Sequence, residues 1–336
     1  MKKTLDEIIT RILADSSVGD FILADAKDGD MGGGIPSPGI NRGPDADKHP
    51  YRTHQEYLQT MRDVTEQGLV DIMLMSVASS EQLTIKEKLF QNSAVTPAIR
   101  ANDTTDIWLG SSGGYANQPS LPFRSTTIDH AQCGKWQCSV EERKSGADLG
   151  LYSMTFNNET ELDRASLQAY KEFRIEAEQK DFRHFLEVFV PNAPGQRSPA
   201  NVADYVNDTI AKTLAGVTSA GRPLFLKIPY FGPASLEALV RYDSNVIVGI
   251  LGGPSGTTHD SYRMLWEAKK YGARAALFGR KINNSEDQLS SVTILRAIAD
   301  GELDAESAVR EYHGLLEKKG IKPDRALKDD LVLTQV

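Results

Sequence analysis

The chain has 336 residues, 40% hydrophobic and 25% charged, which are the proportions of an ordinary globular protein and argue against a disordered or membrane class. The formal net charge is −8, which gives no general attraction to nucleic acid or anionic lipid, so an anionic substrate has to be held by a few local cations and backbone amides. Cys133 and Cys138 are the only cysteines; they make no disulfide framework for a chain of this size, and the cytoplasm is the expected compartment.

In chain order, MKKTLDEIITRILAD begins like a signal peptide, but Asp6, Glu7, Arg11 and Asp15 interrupt what would be its apolar centre, and an amphipathic helix is predicted instead. Residues 20–25, DFILAD, predict a strand ending in Asp25, followed by a loop with Gly32, Gly33, Gly34, Gly39 and Gly43. Helical period over 49–68 precedes a buried strand at 69–76, a helix at 80–90 and a third strand at 95–100 that contains Pro97. Residues 104–132, rich in Ser, Gly, Pro and Thr and without helical period, predict an insertion that forms a small hairpin or a lid. Helical pattern returns at 139–145, then come a strand at 149–156, a long helix at 160–180 and a fifth strand at 184–190 that carries Glu187. Beyond a helix at 201–215, a sixth strand at 224–228 carries Lys227. The remaining units are short: helix 234–240, strand 246–251, helix 259–271, strand 273–278, helix 285–299 and a last helix at 305–319.

Strictly alternating strands and helices argue for a parallel sheet with right-handed crossovers, and eight such units argue for closure. The predicted fold is therefore α/β: one (β/α)8 TIM-barrel domain over 1–336, with an N-terminal helix and the 104–132 insertion between strands 3 and 4. A doubly wound open sheet is the alternative, and its dinucleotide version is weakened because Gly32–Gly34 does not fit GxGxxG. No run of apolar residues is long enough for a membrane span.

Lys227 lies in an otherwise apolar strand, RPLFLKIPYFGP. An ammonium taken out of water needs a partner or loses its proton, and a neutral lysine amine is a nucleophile that can form a Schiff base. The other reading is a lysine ion-paired within the barrel or reaching out at a strand end. Glu187, within the preceding strand, would make a buried ion pair or a proton-relay pair with it if both side chains face inward. Asp25, at the predicted end of its strand, is placed for function or for capping the next loop; Asp71, at the start of its strand, belongs to the stability face. Tyr230 is a candidate acid, with packing at the rim as the competing role. Strand 7 runs into LGGPSGTTHD and strand 8 into FGRKI, the two loops that bind phosphate in many such barrels. There Gly252, Gly253, Ser255 and Gly279 would offer amides and a hydroxyl, and Arg280 a fixed charge. His259, beside the first loop, touches a phosphate or caps a helix. His130, Cys133 and Cys138 match structural zinc spacing only loosely and are taken as ordinary residues of the insertion.

In this order, the ILAD of strand 1, LKIPYFG of strand 6, the glycine pair at 252–253 and GRKI at 279–282 resemble archaeal-type class I fructose-bisphosphate aldolases, a group that extends to tagatose-bisphosphate aldolase and to a thiolase of quorum-signal breakdown. The resemblance implies that Lys227 forms the Schiff base, that Asp25 matches the acid of the first strand, that Glu187 stands where the tagatose enzymes have a glutamate, and that the loops at Gly252, Gly253, Gly279 and Arg280 hold phosphate. It implies a small phosphorylated carbonyl substrate and a homo-oligomer; no cofactor or metal is expected, and from the net charge no nucleic-acid or membrane partner. One feature departs from the family. Its catalytic tyrosine precedes the proline after strand 5, and here Val190 precedes Pro191, which leaves the proton donor open. Thiolase or transaldolase-like transfer with the same lysine, and a sugar-phosphate-binding barrel without turnover, are the alternatives.

Overall fold

The computed structural model describes residues 1–108, 118–192, 199–253 and 256–334. Eight parallel strands close into a barrel: β1 (Ile22–Lys27), β2 (Ile72–Met75), β3 (Thr96–Arg100), β4 (Leu149–Thr155), β5 (Arg183–Phe189), β6 (Leu226–Ile228), β7 (Val248–Leu251) and β8 (Ala275–Phe278). Each strand pairs with its chain neighbours, and β8 pairs back onto β1.

Because side chains alternate along a strand, each strand gives one set of residues to the barrel interior and the other to the helices outside. Ala24 and Ala26 of β1, Leu74 of β2, Ala98 of β3, Leu151 of β4 and Leu277 of β8 belong to one interior cluster. The N-terminal helix Thr4–Ala14 lays Leu5, Ile8 and Ile12 against that cluster and closes the amino-terminal end of the barrel. Leu5 is fully buried there, so Leu5→Ala should cost about 2–5 kcal/mol. The alternate residues, Leu23, Met73 and Ile99 among them, pack on the helices. The helix His54–Gln67 shows how the sequence starts and stops such an element. Thr53 and Glu56 form a capping box at its start, and Gly68, at φ 71°, ends it in the left-handed conformation.

The predicted elements are present with shifted ends. Pro97 is tolerated in β3 because the ladder to β4 begins only at Ile99. The predicted helix at 80–90 is a single α-turn, Val77–Ser80, followed by the π-helical stretch Glu81–Lys86. Among the described residues of 104–132 there is regular structure, including an antiparallel pairing of the kind a small hairpin makes. Asp103–Thr104 pairs antiparallel with Pro122–Phe123, and Thr105–Trp108 and Ile128–Cys133 are short helices. Asp106 ties this region to the carboxyl end of β4, accepting hydrogen bonds from Ser120 Oγ at 2.6 Å and Thr155 Oγ1 at 3.0 Å. Cys133 and Cys138, expected to be unremarkable, are joined in a disulfide on the way into β4. Among the described residues no helix is long and apolar enough to cross a membrane.

Candidate active site

The register of β5 and β6 sets Glu187 beside Lys227. Phe185 on β5 and Phe225 just before β6, each two residues earlier in the chain, are interior and stacked at 4.5 Å between ring centroids, so Glu187 and Lys227 face inward above an aromatic floor. Lys227 Nζ lies 2.6 Å from Glu187 Oε1. The other carboxylate oxygen accepts a 2.7 Å hydrogen bond from Ser153 Oγ, and that hydroxyl in turn accepts one from Arg100 at 3.2 Å. Arg100 also donates to Asp28 Oδ2 at 2.9 Å and stands 3.9 Å from Glu187. All five side chains are buried. Two cations thus face two anions, which is what permits charge at this depth; removing one partner of such a pair typically costs about 3–5 kcal/mol. Burial works against the Arg100 charge, but Asp28 and Glu187 outweigh it and raise its pKa above the ordinary value.

The structure therefore brings Lys227 and Glu187 together and adds Asp28, Arg100 and Ser153, which sequence reasoning missed. Their signal was present but faint. Each follows an interior residue by two positions: Asp28 follows Ala26, Arg100 follows Ala98 and Ser153 follows Leu151.

Asp25 is a correction. β1 does not end there but continues to Lys27, and Asp25 shares the outer face with Leu23. Its carboxylate is 3.1 Å from Lys27 Nζ, which also donates to Asn283 Oδ1 at 2.5 Å and Gln288 Oε1 at 2.8 Å. Burial raises the pKa of Asp25 and lowers that of Lys27, despite their mutual attraction. Of these two buried lysines, Lys27 is 0% exposed and Lys227 keeps 7%, so Lys227 is the one a ligand in the barrel can reach. Tyr230 is a second correction. It packs against the outer core, where burial and then the Glu267 carboxylate push its hydroxyl pKa up, and it does not join the Lys227 cluster. Asp71 lies where expected, accepting from Leu23 N at 2.8 Å and from Arg296 at 3.2 Å.

The loops after β7 and β8 meet. Arg280 donates a long 3.5 Å contact to Gly253 O, and its guanidinium has no other partner among the described residues. Gly253 has φ +62°, and a Cβ on Gly279 would lie 2.6 Å from Ala26 O, so both glycines answer to backbone geometry. The Gly252 amide is unavailable to a ligand because it donates to Leu277 O at 2.9 Å. Ser255 lies outside the described residues. The start of the helix Thr258–Lys270 is occupied as well: Thr257 N donates to Asp260 and Thr258 N to Asp330, each at 2.8 Å. His259 Nδ1 lies 2.7 Å from Leu331 O, so its ring meets the C-terminal segment. Of the residues expected to hold phosphate, Gly253, Gly279 and Arg280 are the ones that stand where the two loops meet.

A closed barrel with a buried lysine–carboxylate pair at the carboxyl end of its strands is the class that fold and site define. No family model matches the chain, and no curated protein matches it. Solved structures do. An archaeal fructose 1,6-bisphosphate aldolase shares 17% identity with a TM-score of 0.60, covering 89% of this chain and 100% of its own. A fructose-bisphosphate aldolase from Slackia heliotrinireducens shares 16% with a TM-score of 0.62, covering 96% and 92%. A Schiff-base-forming fructose-1,6-bisphosphate aldolase shares 18% with a TM-score of 0.55, covering 89% and 100%. At these identities the likeness is one of fold, and it agrees with the resemblance read from the sequence.

Proposed function

We propose that the chain is a class I aldolase that cleaves or forms a phosphorylated ketose or related sugar phosphate through a Schiff base on Lys227. The observation that carries this reading is the 2.6 Å contact between Lys227 Nζ and Glu187 Oε1 inside the barrel. Glu187 takes a proton from Nζ, freeing the lone pair to attack the substrate carbonyl carbon, and returns the proton to the carbinolamine hydroxyl as it leaves as water. The resulting iminium draws electrons from the adjacent carbon–carbon bond; as that bond breaks, a base takes the proton from the hydroxyl of the departing aldehyde. Glu187, deprotonated again once water has left, is the group at hand for that step. Asp28, in place of Asp25, orients substrate hydroxyls at the mouth, while Ser153 and Arg100 hold Glu187. Gly253, Gly279 and Arg280 anchor the phosphate and supply binding energy remote from the reacting bond. The steps so written use no metal. We place the reaction in the cytoplasm, in a homo-oligomer; the Cys133–Cys138 disulfide is the observation that stands against that compartment.

A sugar-phosphate-binding barrel without turnover is the second reading, favoured by Val190 at the position of the family's tyrosine and by the charge balance that makes the Lys227 cluster self-sufficient. Intact mass after borohydride reduction with dihydroxyacetone phosphate separates the two. A ligand adduct on the wild type and none on Lys227→Ala supports the aldolase; tight phosphate binding with no adduct from any carbonyl compound supports the binding barrel.

A further inference from the structure

The opposite, amino-terminal end of the barrel holds a cavity of about 770 Å³, within the usual range for small-molecule sites. It opens between the N-terminal helix, the start of β3 and the segment that leads into β4, so it lies apart from the carboxyl-end cluster. Thr96, 1% exposed, and Gln132, 2% exposed, line this space, and their Oγ1 and Oε1 atoms are buried with no hydrogen-bond partner among the described residues. Buried polar atoms of this kind normally have one. Arg143 Nε is also buried without a partner.

The charge around the cavity favours an anion. Asp6 and Asp148 are both taken by Arg183, and Lys180 is taken by Asp129 at 2.7 Å and Glu176 at 3.4 Å. Lys3 is held by three backbone carbonyls at 2.8–2.9 Å, and Asp148 and Asp6 act on its charge from nearby. Lys88, Arg143 and Lys144 line the cavity with no ion pair among the described residues, against Glu141 and Asp181. Ile85, Phe90, Pro97 and Val140 supply an apolar surface beside these cations. One wall is fixed in advance: the disulfide closes 133–138, Ser145 Oγ donates to Gln132 O at 3.2 Å, and Ala147 N donates to Ala131 O at 3.1 Å.

We propose that this cavity binds a phosphorylated metabolite of about mononucleotide size, with the phosphate at Arg143 and Lys144 and the flat or apolar part against Phe90, Pro97 and Val140. β3 runs from Thr96 in the cavity to Arg100 in the lysine cluster, a span of about 13 Å at the usual rise per residue, so an occupant here adjoins a strand that carries the candidate site.

Isothermal titration of the full chain with AMP, ribose 5-phosphate and adenosine tests the assignment. AMP is expected to bind one to one, ribose 5-phosphate more weakly, and adenosine not measurably. The double change Arg143→Ala with Lys144→Ala should weaken AMP at least tenfold without lowering the melting temperature, since neither side chain has a partner to lose. Val140→Trp, at an exposed position on the same wall, should block AMP by filling the space. Arg280→Ala, at the other end of the barrel, should leave AMP binding within twofold. No AMP binding at millimolar concentration, adenosine binding as tightly as AMP, or AMP binding that survives the double change or Val140→Trp but is lost in Arg280→Ala overturns the proposal.

Discussion

Asp25 and Asp28 stand three residues apart at the end of β1 and face opposite sides of the barrel wall. Asp25 turns out to the helices against Lys27 at 3.1 Å, and Asp28 turns in against Arg100 at 2.9 Å. An odd separation across the end of a strand inverts the side-chain direction, so two acids of similar appearance in sequence meet different chemistry. Asp28→Asn is expected to lower aldolase turnover of the folded fraction by about 10²–10⁴-fold, the range for loss of a group that acts on substrate protons or hydroxyls, over and above the stability lost with its buried Arg100 pair. Turnover within tenfold of wild type would remove Asp28 from the site.

Asp25→Asn should act on stability instead. It leaves Lys27 buried with only neutral partners, Asn283 and Gln288, in a place where burial already lowers its pKa. Urea unfolding is expected to show a loss of about 3–5 kcal/mol, the usual result of breaking a buried pair. The folded fraction should still trap dihydroxyacetone phosphate on Lys227. A stable variant that no longer traps would return Asp25 to the chemistry.

The barrel was legible because its signal repeats: eight apolar runs alternate with helical period, and errors at their ends do not change the topology. Glu187 beside Lys227 was legible for a related reason, since each stands three residues after the start of its predicted strand, 184–190 and 224–228, and adjacent parallel strands start at similar depth. Asp25 was misplaced because the last residues of a strand are the hardest to fix from sequence, and a shift from Asp25 to Lys27 as the final strand residue changes which acid meets the mouth. Arg100 was hidden for want of a visible partner, since Asp28 and Glu187 are far from it in sequence and their approach depends on barrel closure. The glycine loop after β7 read as a ready phosphate cradle. Nothing local shows that Gly252 is used by β8 or that Asp330 reaches the helix start from the far end of the chain.

His184 gives a pH dependence with a definite sign. It is buried in the outer layer with Tyr170 Oη 2.8 Å from its Nε2, and burial, aided by Arg174, lowers its pKa from 6.5 to about 3. The folded state therefore holds the ring neutral where the unfolded chain would protonate it. The stability it contributes is fully present above pH 6.5 and is lost as the pH falls toward about 3. Over that window the slope from this one proton is about 1.4 kcal/mol per pH unit. His184→Gln keeps a hydrogen-bonding group for Tyr170 and removes the titration. Urea unfolding at a series of pH values should give a shallower acid limb for the variant, and parallel limbs would rule out the assignment.

Among the described residues Arg280 is the uncommitted cation where the two loops meet, and its effect should separate phosphate anchoring from chemistry. Arg280→Ala is expected to lower kcat/KM for a phosphorylated substrate by about 10–10²-fold, since a charge-assisted hydrogen bond contributes about 1.5–3 kcal/mol. The same variant should handle the unphosphorylated analogue as the wild type does. Comparing the two substrates in steady-state kinetics decides the matter: an equal loss on both would make Arg280 a structural bridge to Gly253 and no phosphate ligand.

The Glu187→Gln variant tests the proton step itself. Gln is close to Glu in size and can still accept from Lys227 while its amide donates to Ser153 Oγ, but it cannot take a proton and leaves the buried Lys227 and Arg100 facing Asp28 alone. Imine formation should slow by about 10²–10⁴-fold, because carbinolamine dehydration loses its acid and the amine loses its base. Binding of inorganic phosphate at Arg280 should be nearly unchanged, since the two groups are separate contacts. The measurement is the rate at which a borohydride-trappable adduct accumulates, sampled over time so that a slow step is not mistaken for an absent one. A wild-type rate would mean that Glu187 serves only as the counter-ion of Lys227, and the proton would then have to pass through a group outside the cluster.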